Sequence, residues 1–531
     1  MLRITNLRVP VTDNTPLERL AASRLKLPPA AITTVFIERQ AIDARRKSNI
    51  TFVYTLQADI TVPEGQVLSS LRGDKDVTLV PMLPPEPVIP GTTPLSFPPV
   101  IVGAGPAGLL AAITLAQHGY KPLLLERGRD VDSRTADVLS FWETGAFDPQ
   151  SNVQFGEGGA GTFSDGKLTT RVNDSRMQQV LDVLVAAGAP AEIKYRHKPH
   201  VGTDLLRQVV KNIRNKIIAL GGTVEFGATV TDVTVANGEI TAITVNNHRH
   251  IPAHVLILAI GHSARDTYEM LYRRGIAMEA KPFAIGVRIE HPQELIDAAQ
   301  YGLLAGHPKL GAADYALVYH DKESGRTAYS FCMCPGGQVV ASTSEAGSVV
   351  TNGMSLYARN SGVANSALVV NVDPKDYGSG ALSGIAFQRR WEQLAFAAGG
   401  KNYYAPVQTV GDFLAGRSGS KTFATKPTYG PGVQGADLRD CLPPFVTDTL
   451  AKALPDFGRK IKGFDHSSAF LTGVETRTSA PLRLLRDDNL VSQGAAGLYP
   501  VGEGAGYAGG IMSAALDGLK AAQEVIKIYK P

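Results

Sequence analysis

Only three cysteines, Cys332, Cys334 and Cys441, occur in 531 residues, so no disulfide framework of the secreted kind can form. They are also too few for a zinc or iron–sulfur centre without distant partners, and no metal is expected. No apolar run is long enough to span a bilayer. The start, Met1 to Arg8, lacks the apolar core of a secretory signal. Charge is sparse and nearly balanced, with 19% charged residues and a formal net charge of +4. That balance gives no reason to expect nucleic acid and suits an anionic cofactor. These absences lead to the expectation of a cytoplasmic protein with no membrane span and no nucleic-acid partner. What remains is an ordinary globular composition, 44% hydrophobic, in a chain long enough for two to four domains.

Residues 1–88 read as a small module of their own. Strands are expected at Leu2 to Val9, Ile32 to Ala41, Ile50 to Ile60 and near Val77 to Val80, with helices at Pro16 to Leu25 and Gly65 to Leu71. That β-α-β-β-α-β order suggests a ferredoxin-like α+β sandwich. Arg45, Arg46 and Lys47 fall in a hairpin turn, either as a solvated turn or as a docking point for an acidic partner. A proline-rich stretch from Pro81 to Gly91 then leads, through a linker assigned to 89–97, into the next fold.

There the run Pro99-Val100-Ile101-Val102-Gly103-Ala104-Gly105-Pro106-Ala107-Gly108 ends an apolar strand in a glycine turn and begins a small-residue helix. Gly103 permits the turn, Gly105 lets backbone approach a pyrophosphate, and Gly108 lets helix pack on strand. Pro106 suits the first helical turn, and the helix start faces an anion. A second strand, Lys121 to Glu126, ends about 20 residues on in an acid placed for a ribose hydroxyl pair. The spacing points to a dinucleotide site rather than a structural βαβ unit.

The densest glycine run, Val153 to Leu168, is expected to lie along a flat ligand; its alternative is a mobile surface loop. A capped helix from Asp204 to about Leu220 precedes three β segments, Thr223 to Phe226, Ala228 to Val235 and Glu239 to Asn246, the last two joined by an Asn237-Gly238 turn. An apolar strand, Val255 to Ser263, ends in Gly261. Residues 268–465 mix β-like pieces with Gly- and Pro-rich connections and read as an inserted α+β substrate domain. Leu498 to Gly518 returns to strand, glycine loop and helix. The two glycine elements would converge on one long ligand, with Glu503 at a ribitol-phosphate and the helix start at Gly510, Ile511 and Met512 facing the ring of a reduced flavin.

The opening fingerprint with Glu126, the Ala259-x-Gly261 strand end and Val501-Gly502-Glu503-Gly504 resemble the glutathione-reductase-type FAD-dependent oxidoreductases. Phe163 to Leu168, Phe331-Cys332-Met333-Cys334-Pro335-Gly336-Gly337 and Val474 to Thr478 are similar, more narrowly, to a bacterial family of uncharacterised FAD-dependent dehydrogenases. The resemblance implies an α/β, Rossmann-like FAD domain in two parts, 98–267 and 466–531, split by the inserted domain and preceded by the small module. Its cofactor residues would be Gly103, Gly105, Pro106, Ala107, Gly108, Glu126, Arg127, Gly159, Thr162, Ser164, Lys167, Val230, Ala259, Gly261, His262, Gly502, Glu503, Gly504, Gly510, Ile511 and Met512. Many relatives carry Asp where this chain has Glu503. No second strand-linked glycine fingerprint marks a nicotinamide domain, so NAD(P)H enters only as a diffusible donor.

Beyond the flavin, Arg477 is a candidate for holding an anionic substrate, with a structural pairing to Glu475 or a carbonyl as the alternative. Lys167 is a candidate for the flavin edge, where a cation raises the potential. Cys332 and Cys334, two apart in a strand, would face one side, as a strained and reducible pair or as small residues of a packed face. His197 and His200 read as a polar rim. The expected function is hydride transfer between flavin N5 and a small organic substrate at the domain junction. Its alternatives are an NAD(P)H-dependent reductase of an unsaturated or carbonyl substrate, and a flavin-binding sensor whose N-terminal module docks a protein or RNA partner.

Overall fold

The computed structural model describes residues 1–71, 73–80, 87–418 and 426–531. Part of the proline-rich stretch, residues 81–86, therefore lies outside the described residues. Among the described residues no helix is long and apolar enough to cross a membrane.

The N-terminal module is a four-stranded antiparallel sheet of β1 (Leu2–Pro10), β2 (Ile32–Asp43), β3 (Thr51–Ile60) and β4 (Val77–Leu79), with α1 (Leu17–Leu25) and α2 (Glu64–Ser70). Its spatial order is β2-β3-β1-β4. Alternation makes the sheet: Tyr54, Leu56 and Ala58 of β3 are buried together with Ala21 and Leu25 of α1 and Val67 of α2. Arg45 folds back onto Asp43 at 2.6 Å in the β2–β3 turn, which accounts for one of the three turn cations.

A second sheet is entirely parallel. Along the chain its strands are β5 (Val100–Val102), β6 (Leu123–Leu125), β7 (Thr223–Glu225), β8 (Leu256–Leu258) and β9 (Leu498–Pro500). In space they run β9-β8-β5-β6-β7. The three central strands are buried apolar runs, as a sheet covered on both faces requires. Helix α3 (Pro106–Gln117) follows β5 and is buried from Ala107 through Ala116. It packs against α4 (Ile511–Ile528), which follows β9. Close approach dictates Gly108: a Cβ there would lie 1.8 Å from the Gly103 carbonyl oxygen.

Two local expectations change. Thr223–Glu225 is the edge strand of the parallel sheet, and the separate meander is Val230–Ala236, Glu239–Val245 and Arg249–Pro252. The helix expected to be capped by Asp204 starts at Thr203 behind Gly202, and the Asp204 carboxylate instead accepts the Tyr357 N–H at 2.8 Å.

The inserted region is built on a seven-stranded sheet. Its order is Val318–His320, Thr327–Cys334, Val363–Val372, Phe283–Pro292, Phe470–Glu475, Ala405–Thr409 and Val433–Gly435. Phe470–Glu475 pairs antiparallel with Phe283–Pro292. The boundary expected at 466 is therefore misplaced, because residues 470–475 complete the inserted sheet before the chain returns to β9. Strand partners this far apart in sequence leave no local mark at that return.

Replacing Gly108 by Val forces α3 away from β5. We expect a loss of about 1–3 kcal/mol, typical of overpacking, read as a lower urea midpoint with an unchanged m-value.

Candidate functional site

The carboxyl ends of β5, β8 and β9 open into one cavity of about 450 Å³. This is the crevice where parallel α/β sheets take ligands. Three loops from those strands line it through Gly103, Ala259, Gly261, His262, Gly502 and Glu503, and the inserted region supplies Tyr315, Ser330, Cys332, Asn352 and Glu475.

Two helix starts face this space. In α3 the first intrahelical bond runs from Leu109 N–H to Gly105 O, and in α4 from Ala514 N–H to Gly510 O. The preceding N–H groups have no acceptor within their own helices, and Gly105, Pro106, Ala107, Gly510 and Ile511 line the cavity. Each start therefore presents donors and the positive end of a dipole to whatever lies there.

Glu126 is 5% exposed at the cavity wall. Its Oε1 accepts from Gly128 N–H and Gly156 N–H, both at 2.9 Å, and its Oε2 accepts from Ala104 N–H at 2.7 Å. An ionised carboxylate offers about four acceptor positions, so Oε2 retains one for a ligand hydroxyl. Arg127 lies against Phe155, 4.4 Å from the ring centre, and is fixed by Asp266 at 2.8 Å.

The glycine run is held in place rather than free. Arg134 is fully buried beneath it and donates to the carbonyls of Asn152 at 2.8 Å, Val153 at 2.8 Å and Glu157 at 2.7 Å. Burial pushes this guanidinium down to about 9. Gly159 has φ +62° and would carry a Cβ only 3.1 Å from Gly105 Cα. The two glycine loops therefore touch backbone to backbone, and Gly159, Gly161 and Ser164 border the cavity.

Of the residues singled out from sequence, Val230, Lys167 and Arg477 also line the cavity. Four do not. Gly108 packs against Gly103, Thr162 is fully buried, Gly504 accepts from Tyr268 Oη at 2.8 Å, and Met512 sits in the core beneath α4. Their neighbours in sequence face the ligand space and they support it. His197 and His200 lie off the cavity; His200 is stacked on Tyr357.

Arg477 is engaged structurally, with a different partner from the one expected. It donates to both Glu392 oxygens, at 3.1 and 3.0 Å, and to Ser263 Oγ at 3.1 Å. Burial opposes the Glu392 charge, but Arg265 and Arg477 outweigh it and hold that carboxyl well below the usual range. Glu475 belongs instead to the fully buried Arg288, with contacts of 2.9 and 3.1 Å. Sequence reasoning missed Tyr315, whose buried hydroxyl sits at the cavity wall beside Ser366. Asn352 lines the cavity with its Oδ1 accepting from Arg288 at 3.1 Å.

Burial, with a smaller push from Cys332, raises the Glu503 carboxyl to about 7. Burial, then Arg477, lowers the neighbouring His262 to about 3, so the 3.7 Å contact between them joins a neutral imidazole to a carboxyl. Among the described residues no cluster of His, Cys, Asp or Glu could hold a metal.

Two donor-bearing helix starts, a carboxylate with one acceptor position left and loops with no side chain in the way fit a long, doubly charged dinucleotide. Fold and cavity thus define a Rossmann-type, FAD-binding protein. Residues 97–271 match the family model described as pyridine nucleotide-disulphide oxidoreductase, and residues 282–478 that of the FAD-dependent protein, C-terminal domain-like family. Residues 1–59 match a domain of unknown function. An uncharacterized protein of Clostridium beijerinckii is 51% identical over 530 residues, 99% of each chain. The chain belongs to the same family as that protein, a family of FAD-dependent oxidoreductases, and FAD is its cofactor. Among solved structures, CtdE in complex with FAD aligns over 80% of this chain and 83% of its own, at 12% identity and TM-score 0.33. THI4 of Thermovibrio ammonificans aligns over 34% of this chain and 64% of its own, at 22% identity and TM-score 0.24.

The raised Glu503 carboxyl has a sign that can be measured. Its folded value is about 7 against an ordinary 4.5, so the folded state holds an extra proton between these values. Its contribution to stability is full below about pH 4.5 and is lost as pH rises to about 7. In the flavin-free protein, E503Q should flatten the fall in Tm across that interval.

Proposed function

We propose that the protein transfers a hydride between the N5 atom of FAD and a small organic substrate held where the nucleotide fold meets the inserted sheet. The observation that carries this reading is the shared cavity, with glycine loops and helix starts on the parallel sheet and polar side chains on the inserted one. FAD supplies the two-electron chemistry; the chain supplies binding, orientation and electrostatics.

The start of α3, with Gly103, Gly105, Pro106 and Ala107, would hold the pyrophosphate. Glu126 would accept from the ribose, with Arg127 and Val230 beside the adenosine. Gly502 and Glu503 would hold the ribitol-phosphate. Glu503, longer than the Asp of many relatives and neutral more readily, can donate as well as accept there. Gly159, Ser164, Gly261, His262, Gly510 and Ile511 would border the ring, and the dipole of α4 would favour its negative, reduced form. Neutral His262 adds no charge of its own.

On the substrate side, Tyr315 Oη and the Asn352 amide offer polar contacts, and Ser330 Oγ, which already accepts the Leu317 N–H at 2.8 Å, keeps its proton to donate. The Lys167 ammonium donates to Met333 O at the cavity wall. Arg477 positions this wall through Glu392 and Ser263. NAD(P)H would act as a diffusible donor reaching the flavin from the same side. With no membrane-spanning helix among the described residues and so few cysteines, we place the enzyme in the cytoplasm.

An anaerobic screen of donors and substrates, followed by flavin absorbance, tests the reading. Bleaching by one compound and recovery with another supports it. A flavin that no small molecule bleaches, with partner capture dependent on residues 1–88, overturns it. K167M should lower the flavin potential by an amount on the order of tens of millivolts, because a nearby cation stabilises the reduced ring; a redox-dye equilibration reads the shift.

A further inference from the structure

Cys332 occupies a backbone position that glycine ordinarily fills. Phe331 pairs with Ala367 and Cys334 with Asn365, so Cys332 and Met333 together face the single residue Ser366. Cys332 is the first residue of this bulge and has φ 44°, the left-handed conformation that favours Gly at such a point. Strain of this kind collects where a side chain must be aimed. Here it breaks the regular alternation of the strand and leaves Cys332 on the cavity wall.

The bulge is held at both of its carbonyls. Arg288 donates to Cys332 O at 3.2 Å and the Lys167 ammonium donates to Met333 O. Beside it, Cys334 is fully buried, and its thiol donates to Cys332 O at 3.4 Å and lies against the Cys332 sulfur. Both thiols are free in the structure. That contact first, then Lys167 and Arg288, lowers the Cys332 thiol against the opposing effect of burial. The same contact and burial push Cys334 up. The pair is thus polarised toward a thiolate on Cys332 and a thiol on Cys334, the arrangement from which a disulfide forms. A merely packed sheet face would need neither the left-handed backbone nor the opening onto the cavity.

We propose that Cys332 and Cys334 form a reversible dithiol–disulfide couple that serves as a second two-electron store beside the flavin. This rests on the cavity being the flavin site. Closing the couple forms the S–S bond and breaks the Cys334 S–H bond. The thiolate and thiol together lose two electrons and one proton. Oxidised FAD takes up both electrons and that proton, giving the anionic reduced flavin; the reverse step restores thiolate and thiol. Cys334 has no exposed surface and Cys332 opens onto the cavity, so the couple exchanges electrons with the bound cofactor rather than with soluble thiols.

Anaerobic dithionite titration of the air-equilibrated holoenzyme tests the couple, together with mass spectrometry after denaturing alkylation. Wild type should consume two two-electron equivalents per FAD, and C334S and C332S one each. The wild-type peptide spanning both cysteines should be unlabelled and two hydrogens light before reduction, and doubly alkylated after it. A wild-type holoenzyme that takes one equivalent and is doubly alkylated from the start overturns the couple while leaving the hydride-transfer reading intact. A chain that binds no FAD overturns both.

Discussion

A single carboxylate gathers the ligand side of the nucleotide fold. Glu126 accepts N–H groups from the β5–α3 turn, from the residues just after β6 and from the glycine run thirty residues further on. Three stretches of backbone that make few contacts of their own are thereby brought to a common point. Hydrogen bonds to an ionised acceptor in a buried setting are stronger than neutral ones, and each of these N–H groups would otherwise be left unsatisfied. Arg134 does the complementary work from below, offering donors to the carbonyls of the same run. Acid and base thus share the two polar faces of one loop, and the loop needs no secondary structure of its own.

The inserted sheet meets this arrangement through charge rather than through apolar contact alone. Arg288 uses all five of its N–H groups, on Glu475, Asn365, Asn352 and the Cys332 carbonyl. Arg265 and Arg477 share Glu392, and Arg265 also reaches Glu345, which in turn holds Arg389. Buried pairs of this type add little net stability compared with a well-packed apolar core, but removing one partner is costly. Their effect here is to fix the positions of the polar groups around the cavity.

The nucleotide fold was legible because sterics wrote it into spacing. Gly103 and Gly108 stand where a Cβ would strike backbone, and Glu126 stands where the second strand ends. The alternation in β3 was legible for the same reason, since one face of that strand is buried. Long-range pairing was not. Nothing around Phe470–Glu475 says that it completes a sheet begun near residue 283, and nothing near Arg134, Arg288 or Glu392 separates a buried charge from a solvated one. The Cys332–Cys334 spacing was read as a regular strand, and the bulge between them depends on the neighbouring strand, which no local pattern shows. The Glu475–Arg477 neighbourhood misled in a similar way, because each residue takes a partner far away in the chain.

The strand order also bears on how the protein can be made. In the parallel sheet Leu256 pairs with both Val100 and Leu498, and in the inserted sheet Gly286 pairs with Glu475. The inserted sheet is incomplete until Phe470–Glu475 has been made, and the parallel sheet until Leu498–Pro500 has. The four strands of the N-terminal module pair with one another within the first eighty residues, and only Gln40 reaches on to a bridge with Arg196. For the remainder, two unfinished sheets with open edges must wait side by side during synthesis. Slow, non-local pairing of this kind exposes strand edges to other chains. The cofactor pocket therefore closes only when β9 and α4 arrive, long after the strands of the N-terminal module have been made.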